Sequence, residues 1–421
     1  MMKEININNF DEKLYFEKLD NGFEIYLVPL KNKSNYRISM GIKYGNCYTD
    51  FIVDNKKIHT PSGVAHFLEH KLFEREEGLA PFDFYSNSGT SVNACTSIKY
   101  TNYYCVGNNN FNENLEYMLN WITKIYITDE TVEKEKGIIL EEERMYIDNP
   151  NRVLSERSRY NLFVNDPYGK KVVGEESDIK SITKDDLINS YNSFYTPNNM
   201  FLIVTGNFNK DDAINIIKDN FNKIEKSEKI VKKEEILEPD SVRKDYEEIK
   251  LNVTTPKISL IYKINKNNFN MDDYNLSAYL SIILRLAFSD TSLFFETGLE
   301  NKLFIDLTYF FDITDTHVII SFDIISDKDE VVEKIEEELN NIILNEKDFK
   351  RIVSCLIANE VKTVDNVNLI SYDIFDDLIY YGSYKNEKIK DLKNLSYKKL
   401  LEVKEKLDTN NRSIVKIISN K

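Results

Sequence analysis

The pentapeptide His66-Phe67-Leu68-Glu69-His70 places two imidazoles four residues apart, with a carboxylate beside the second. The run 61–73 reads as a helix. Pro61-Ser62-Gly63 supplies a start, and Val64, Phe67, Leu68 and Leu72 recur at helical spacing. On a helix, residues four apart share one face, so both rings point the same way. Two His nitrogens and an adjacent carboxylate are what a hydrolytic zinc site requires: two neutral ligands and a base for the attacking water. The whole chain holds 4 His, and two of them are here. The plainer alternative is an exposed polar face that happens to carry them.

The order His-x-x-Glu-His is the inverted form of a zinc-hydrolase signature. A catalytic zinc takes three protein ligands and keeps a position for water, so a third ligand is needed. The segment 131–146 is the candidate region. Val132, Ile138, Ile139, Met145 and Tyr146 outline an apolar stripe, and two acids fall within it, Glu135 and Glu142, seven apart. Glu133, Glu141 and Glu143 point outward or flank it. A carboxylate on a core-facing stripe is costly unless paired or metal-bound. Glu142 is therefore expected as the third ligand, against the alternative of a solvated acidic face. Glu135 is expected as a second catalytic carboxylate, orienting a ligand rather than binding the ion. Zn²⁺ held by His66, His70 and Glu142, with Glu69 as general base, is the expected chemistry.

The elements that must carry these groups follow from pattern. Alternating runs at 22–30 and 36–44 read as strands. After the motif helix come a short helix at 81–87 and a hairpin, 90–98 with 101–106, turning at Lys99-Tyr100. Helices are expected at 112–125, 129–147, 153–163, 184–194 and 211–222, with a strand at 200–206. Residues 223–244 are charge-dense and hold no apolar period, so they read as a linker. Strands at 248–265, a helix at 274–288, strands at 302–311 and 317–325, helices at 330–344, 347–362 and 397–407, and a strand at 412–418 follow. Both halves end on a helix, an Asn-Asn turn (198–199 and 410–411) and a strand, which suggests a duplicated unit. The expected fold is α+β, with two duplicated domains at 1–222 and 245–421. Each is a mixed or antiparallel sheet packed against helices, and only the first has the metal motif.

Composition bounds the function. A length of 421 residues is too great for one ordinary core. A net charge of −15 leaves no phosphate-neutralising excess, so nucleic acid is not an expected partner; the same charge suits basic peptides. The N-terminus lacks a signal-peptide core, and no run approaches the roughly 18 apolar residues of a membrane span. The four Cys are scattered and read as reduced thiols of a cytoplasmic protein. His59 and His317 read as structural.

Gly63–Glu74, Asn93–Ser97 with Thr101–Tyr104, Val132–Ile139 with Glu142 and Met145-Tyr146, Asp148–Pro150 and Pro197–Met200 together resemble the insulinase/pitrilysin family of zinc peptidases. That family includes the mitochondrial processing peptidases, and its bacterial YmfH-like branch is the most alike. The resemblance implies two similar domains forming one half of a clamshell, with the zinc ligands and base named above. It also implies that substrate adds as a strand along Asn93, Ala94 and Cys95, which would otherwise read as ordinary strand residues. Active family members enclose substrate between two such halves. A partner is therefore implied, either a related two-domain subunit (a heterodimer) or a second copy (a homodimer). Many active members carry an Arg and a Tyr in the second domain. The matching stretch here, 290–304, has no Arg, and Phe304 stands near the Tyr position. The expected function is a zinc metalloendopeptidase subunit acting on small or unfolded peptides, such as a peptide precursor. The alternatives are a self-sufficient homodimeric processing peptidase and a non-catalytic core or peptide-binding subunit.

Overall fold

A computed structural model describes residues 2–8, 10–229 and 231–420. Its strands are β1 (Lys3–Asn6), β2 (Lys13–Lys18), β3 (Glu24–Pro29), β4 (Tyr36–Ile42), β5 (Asp50–Val53), β6 (Lys56–His59), β7 (Ser91–Thr96), β8 (Thr101–Gly107), β9 (Met200–Gly206), β10 (Val231–Lys233), β11 (Tyr246–Leu251), β12 (Lys257–Asn265), β13 (Asp306–Ile313), β14 (His317–Ile325) and β15 (Arg412–Ser419). Its helices are α1 (Val64–Leu72), α2 (Pro81–Asn87), α3 (Phe111–Ile122), α4 (Asp129–Tyr146), α5 (Pro150–Leu162), α6 (Glu176–Ser181), α7 (Lys184–Phe194), α8 (Lys210–Phe221), α9 (Asp273–Phe288), α10 (Leu293–Glu300), α11 (Glu330–Asn341), α12 (Glu346–Val364), α13 (Val367–Tyr380), α14 (Lys388–Lys393) and α15 (Tyr397–Lys404). The fold is α+β.

Two compact units are present. The first joins the chain up to Glu142 with Lys171–Glu235 and Glu360–Lys388. Its sheet runs β1-β2-β3-β9-β4-β8-β7, and a small sheet runs β10-β5-β6. β4 shows how a strand serves two layers. Tyr36, Ile38, Met40 and Ile42 face the main core with α1 and α3. Arg37, Ser39 and Gly41 take the opposite face, which α13 covers. There Val28, Phe201 and Ile203 pack against Val367, Ile370, Ile374 and Phe375. Gly41 is needed because an added Cβ would lie 2.2 Å from the Phe201 ring.

The second unit joins Glu143–Lys170, Ile236–Asn359 and Ile389–Lys421. Its sheet runs β11-β15-β12-β14-β13. Leu260, Tyr262 and Ile264 of β12 pack with Leu276, Leu280 and Ile283 of α9 and with Val331 and Ile335 of α11. α5 covers the other face, with Leu154 against Val415 and Ile417.

The unit boundaries do not coincide with 222 and 245. The stretch 143–170 belongs with the second sheet and 360–388 with the first. The expected linker is also structured in part. β10 pairs with β5. The Glu238 carboxylate accepts from the N–H groups of Val164, Asn165 and Asp166 at 2.7–2.8 Å. It also pairs with Lys263, and both side chains are fully buried. A charge-dense segment can be ordered this way, because the backbone and one lysine satisfy the charge.

Helical periodicity misses α10 and α13. One stretch, Asp273–Glu300, is long and apolar enough by composition to cross a membrane, contrary to the expectation from run length. In the fold it is broken between Phe288 and Leu293 into α9 and α10. Leu280, Ile282 and Ile283 of α9 have no exposed surface, so its apolar character answers to the core it fills.

Candidate metal and catalytic centre

α1 is fixed at both ends. Its N-cap, Gly63, has φ 96°, and an added Cβ would lie 2.2 Å from the Val173 carbonyl oxygen, so only glycine fits. Asn46 Oδ1 accepts from the Gly63 N–H at 2.9 Å and from the Ser62 hydroxyl at 3.0 Å. At the far end the Trp121 indole N–H donates to the Leu72 carbonyl, and buried Lys71 pairs with Glu74. Val64, Ala65, Phe67, Leu68 and Leu72 are buried. The half-buried residues left on the helix are His66, Glu69 and His70.

α4 supplies the remaining carboxylates. The apolar stripe drawn from the sequence is only partly real, since Ile138, Met145 and Tyr146 are exposed. The line that faces inward is Val132, Glu135, Ile139 and Glu142, in steps of three and four. Val132 and Ile139 are buried and the two acids half-buried. Three apolar residues lie to the side of this line, so the width of the stripe was overread. The two acids nevertheless lie where the spacing of seven put them.

His66, His70 and Glu142 each offer one donor atom, and these atoms all lie within 4.8 Å of one another. Glu142 Oε2 is 3.5 Å from His70 Nε2 and 4.0 Å from His66 Nε2. A tetrahedral Zn²⁺ with bonds of about 2.0–2.2 Å wants donors roughly 3.3–3.6 Å apart. Two nitrogens and one carboxylate at these distances fit that ion after a small inward shift. Glu135 Oε1 lies 2.9 Å from His70 Nδ1. That contact assigns the His70 proton to Nδ1 and turns Nε2 toward the other donors. Burial pulls the His70 pKa down, but the bonds to Glu135 and Glu142 outweigh it and raise it to about 9.

Glu69 Oε2 accepts from the Thr96 hydroxyl at 2.5 Å. Burial raises the Glu69 carboxyl above the ordinary range, against the lowering effect of Thr96 and His70. A raised pKa suits a group that must take up a proton. Thr96 was not singled out in the sequence. The signal was available: it lies two residues past Ala94, so strand alternation puts it on the same face.

Asn93, Ala94 and Cys95 lie on β7, the last strand of the sheet. β8 flanks one side of β7, and no described strand flanks the other. In the second unit Phe304 is buried against Gly298, with Phe294 and Phe295 beside it. His59 bonds Asp50 at 2.6 Å, and His317 bonds Asp240 at 3.1 Å.

Comparison with known proteins adds three findings. Residues 53–176 match the family described as Insulinase (Peptidase family M16), and residues 181–356 match the one described as Peptidase M16 inactive domain. The uncharacterized zinc protease YmfH of Bacillus subtilis is 36% identical over 75% of this chain and 74% of its own length. Among solved structures, an M16-like peptidase from Alicyclobacillus acidocaldarius superposes with a TM-score of 0.92 at 23% identity, covering 98% of this chain and 99% of that one. The periplasmic protease PqqL of Escherichia coli matches at TM-score 0.75 and 18% identity, over 98% of this chain but only 48% of PqqL.

Proposed function

We propose that this chain, which belongs to the insulinase family (peptidase family M16), is a zinc metalloendopeptidase subunit that cleaves short or unfolded peptides, such as a peptide precursor. The observation that carries the reading is the convergence of His66, His70 and Glu142, with Glu69 held beside them by Thr96. A Zn²⁺ bound there would acidify a water and draw charge from the scissile carbonyl. Glu69 accepts the proton of that water and returns it to the leaving amine. Thr96 fixes which carboxylate oxygen is free to do so. Glu135 holds the His70 ring in one tautomer. Along Asn93, Ala94 and Cys95 the outward backbone groups of β7 can pair with an extended peptide once the Asn93 side chain releases the Ala94 N–H, from which it accepts at 2.9 Å.

A partner completes the site. The chain matches half the length of PqqL, and the buried Phe304 leaves the second unit without the Arg and Tyr expected there. A related two-domain subunit is the preferred partner, and a second copy is the alternative. No disulfide joins the described cysteines, which suits a reducing, cytoplasmic setting. The test is a chelator-sensitive peptide cleavage assay on the chain with its co-purifying partner, wild type against Glu69→Gln. Activity should fall about 10²–10⁴-fold with zinc content unchanged. Full activity in the variant sinks the mechanism, and full activity of the isolated monomer removes the need for a partner.

A further inference from the structure

The face of the first sheet turned away from the metal centre carries a buried cation that the proposed chemistry does not use. Arg37 is 2% exposed. Its guanidinium lies between two rings, 3.9 Å from the centre of Tyr104 and 4.5 Å from that of Tyr372. The neighbours that act most on its charge are Tyr372, Tyr104 and Cys105. Its Nε and Nη2 are buried and make no hydrogen bond. A buried cation without an anion is costly, and its field reaches further than it would in water. At −15 net charge, this is a local reversal of sign.

Register places that cation beside the edge strand. Asn93 is paired with Tyr104, and Val106 with both Ser91 and Arg37. Directly paired residues share a face, so Asn93, Tyr104 and Arg37 stand on one side of the sheet. Ala94 and Thr96 stand on the other, with Glu69. Asn93 and Cys95 are exposed, and Tyr104 is half-buried. A peptide strand added to β7 would send alternate side chains to each side. Those on the far side come within about 5 Å of Asn93 or Cys95, Cβ to Cβ. Arg37 leans over β8, about two strand spacings, or roughly 10 Å, from the added strand. The shelf between them presents donors: the Asn93 amide and the Tyr104 hydroxyl.

We infer that this shelf is a specificity subsite for a carboxylate, accepting a glutamate or aspartate side chain of the substrate at the position opposite Asn93. The charge of Arg37 draws the carboxylate over β7, and Asn93 and Tyr104 donate to it. The preference is thus for an acidic residue on this face of the sheet, and not at the two adjoining positions, which turn toward Glu69. The inference rests on the edge-pairing reading proposed above.

The test is binding, so that it does not depend on turnover. A labelled extended peptide of small neutral residues, with Glu placed in turn at each position and Gln as the isosteric control, is titrated by fluorescence anisotropy. The full-length zinc-loaded protein, together with its co-purifying partner, carries Glu69→Gln, so nothing is cleaved. One position should favour Glu over Gln by about tenfold, as expected for a charge-assisted hydrogen bond, and its two neighbours should show no preference. Arg37→Met should bring that ratio to about one without changing affinity for the Gln peptide. Should Arg37→Met fail to fold, Asn93→Ala at its exposed position must lower the ratio at least about threefold. Equal binding of Glu and Gln peptides at every position, or a preference that survives the variant, overturns the subsite alone. Failure of every peptide to bind overturns the edge-pairing reading with it.

Discussion

In the first unit β3, β9, β4, β8 and β7 lie side by side, with β3 and β9 parallel and every other pair antiparallel. In the second unit β11, β15, β12, β14 and β13 repeat this ladder, with β11 and β15 parallel and the rest antiparallel. The helices between strands correspond in order as well. α1 and α2 precede β7, and α9 and α10 precede β13. α3 and α4 follow β8, and α11 and α12 follow β14. Where α1 keeps His66, Glu69 and His70 half-buried, α9 buries Leu276, Leu280, Ile283 and Leu284. One architecture thus carries the candidate metal site in the first unit and packing alone on the matching helix of the second. The difference lies in a few side chains on two helices, α1 and α4, because the site needs only a held helix and a facing acid.

That contrast can be broken by experiment. Glu142→Ala, in the first unit, should reduce bound zinc to near nothing, as measured by metal analysis after dialysis, while Glu141→Ala and Glu143→Ala keep it. Zinc retained in Glu142→Ala would take away the third ligand. Glu135→Ala should keep zinc at high metal concentration but weaken its affinity about 10–100-fold in competition with a chelator. An unchanged affinity would reduce the Glu135–His70 contact to packing. Ile283→Ala on α9 should cost about 2–5 kcal/mol in denaturant unfolding and leave zinc affinity alone. A loss of zinc there would mean the two units are not separable in function.

The smallest effect concerns pH. Glu247, in the second unit, is held at about 2, where the bonds from Arg157, Asn161 and Lys244 outweigh burial. A carboxylate depressed by folding adds stability that is complete above its unfolded pKa, near 4.5, and is lost as pH falls toward 2. Glu247→Gln should therefore cost about 1–2 kcal/mol at pH 7 and flatten the acid unfolding curve between pH 4.5 and 2. An unchanged curve would show that the half-buried Arg157 partner is screened out.

Much of this was readable before any coordinates. The motif helix announced itself because its apolar residues and its chemistry obey the same period. Glu135 and Glu142 followed because a buried carboxylate needs a reason. Both acids lie half-buried on the inward line of α4, whereas Ile138, Met145 and Tyr146 are exposed. Apolar residues at helical spacing mark a face only when another surface meets them. β1, β2 and the β5–β6 hairpin pair locally, yet β1, β5 and β6 are only four residues long and β1 and β6 are mostly polar, so no alternating run announces them. α13 was missed for a different reason. It lies over a sheet face from more than 160 residues earlier in the chain, and nothing local announces such a neighbour. Arg37 is equally silent in the sequence, where it reads as one polar residue in an alternating strand.

The two covering helices have a consequence for synthesis. α13 closes a layer begun by β3 and β4, and β15 is the middle strand between β11 and β12. As the chain leaves the ribosome from its N-terminus, Val28, Phe201 and Ile203 have no cover until Val367–Tyr380 has been made. β11 likewise waits for the last residues. A nascent chain in that state exposes apolar strand surface, the kind that aggregates or engages a chaperone. Dividing the gene at the charged stretch 223–244 would strand α5 in one fragment and α13 in the other, so neither product should be soluble alone.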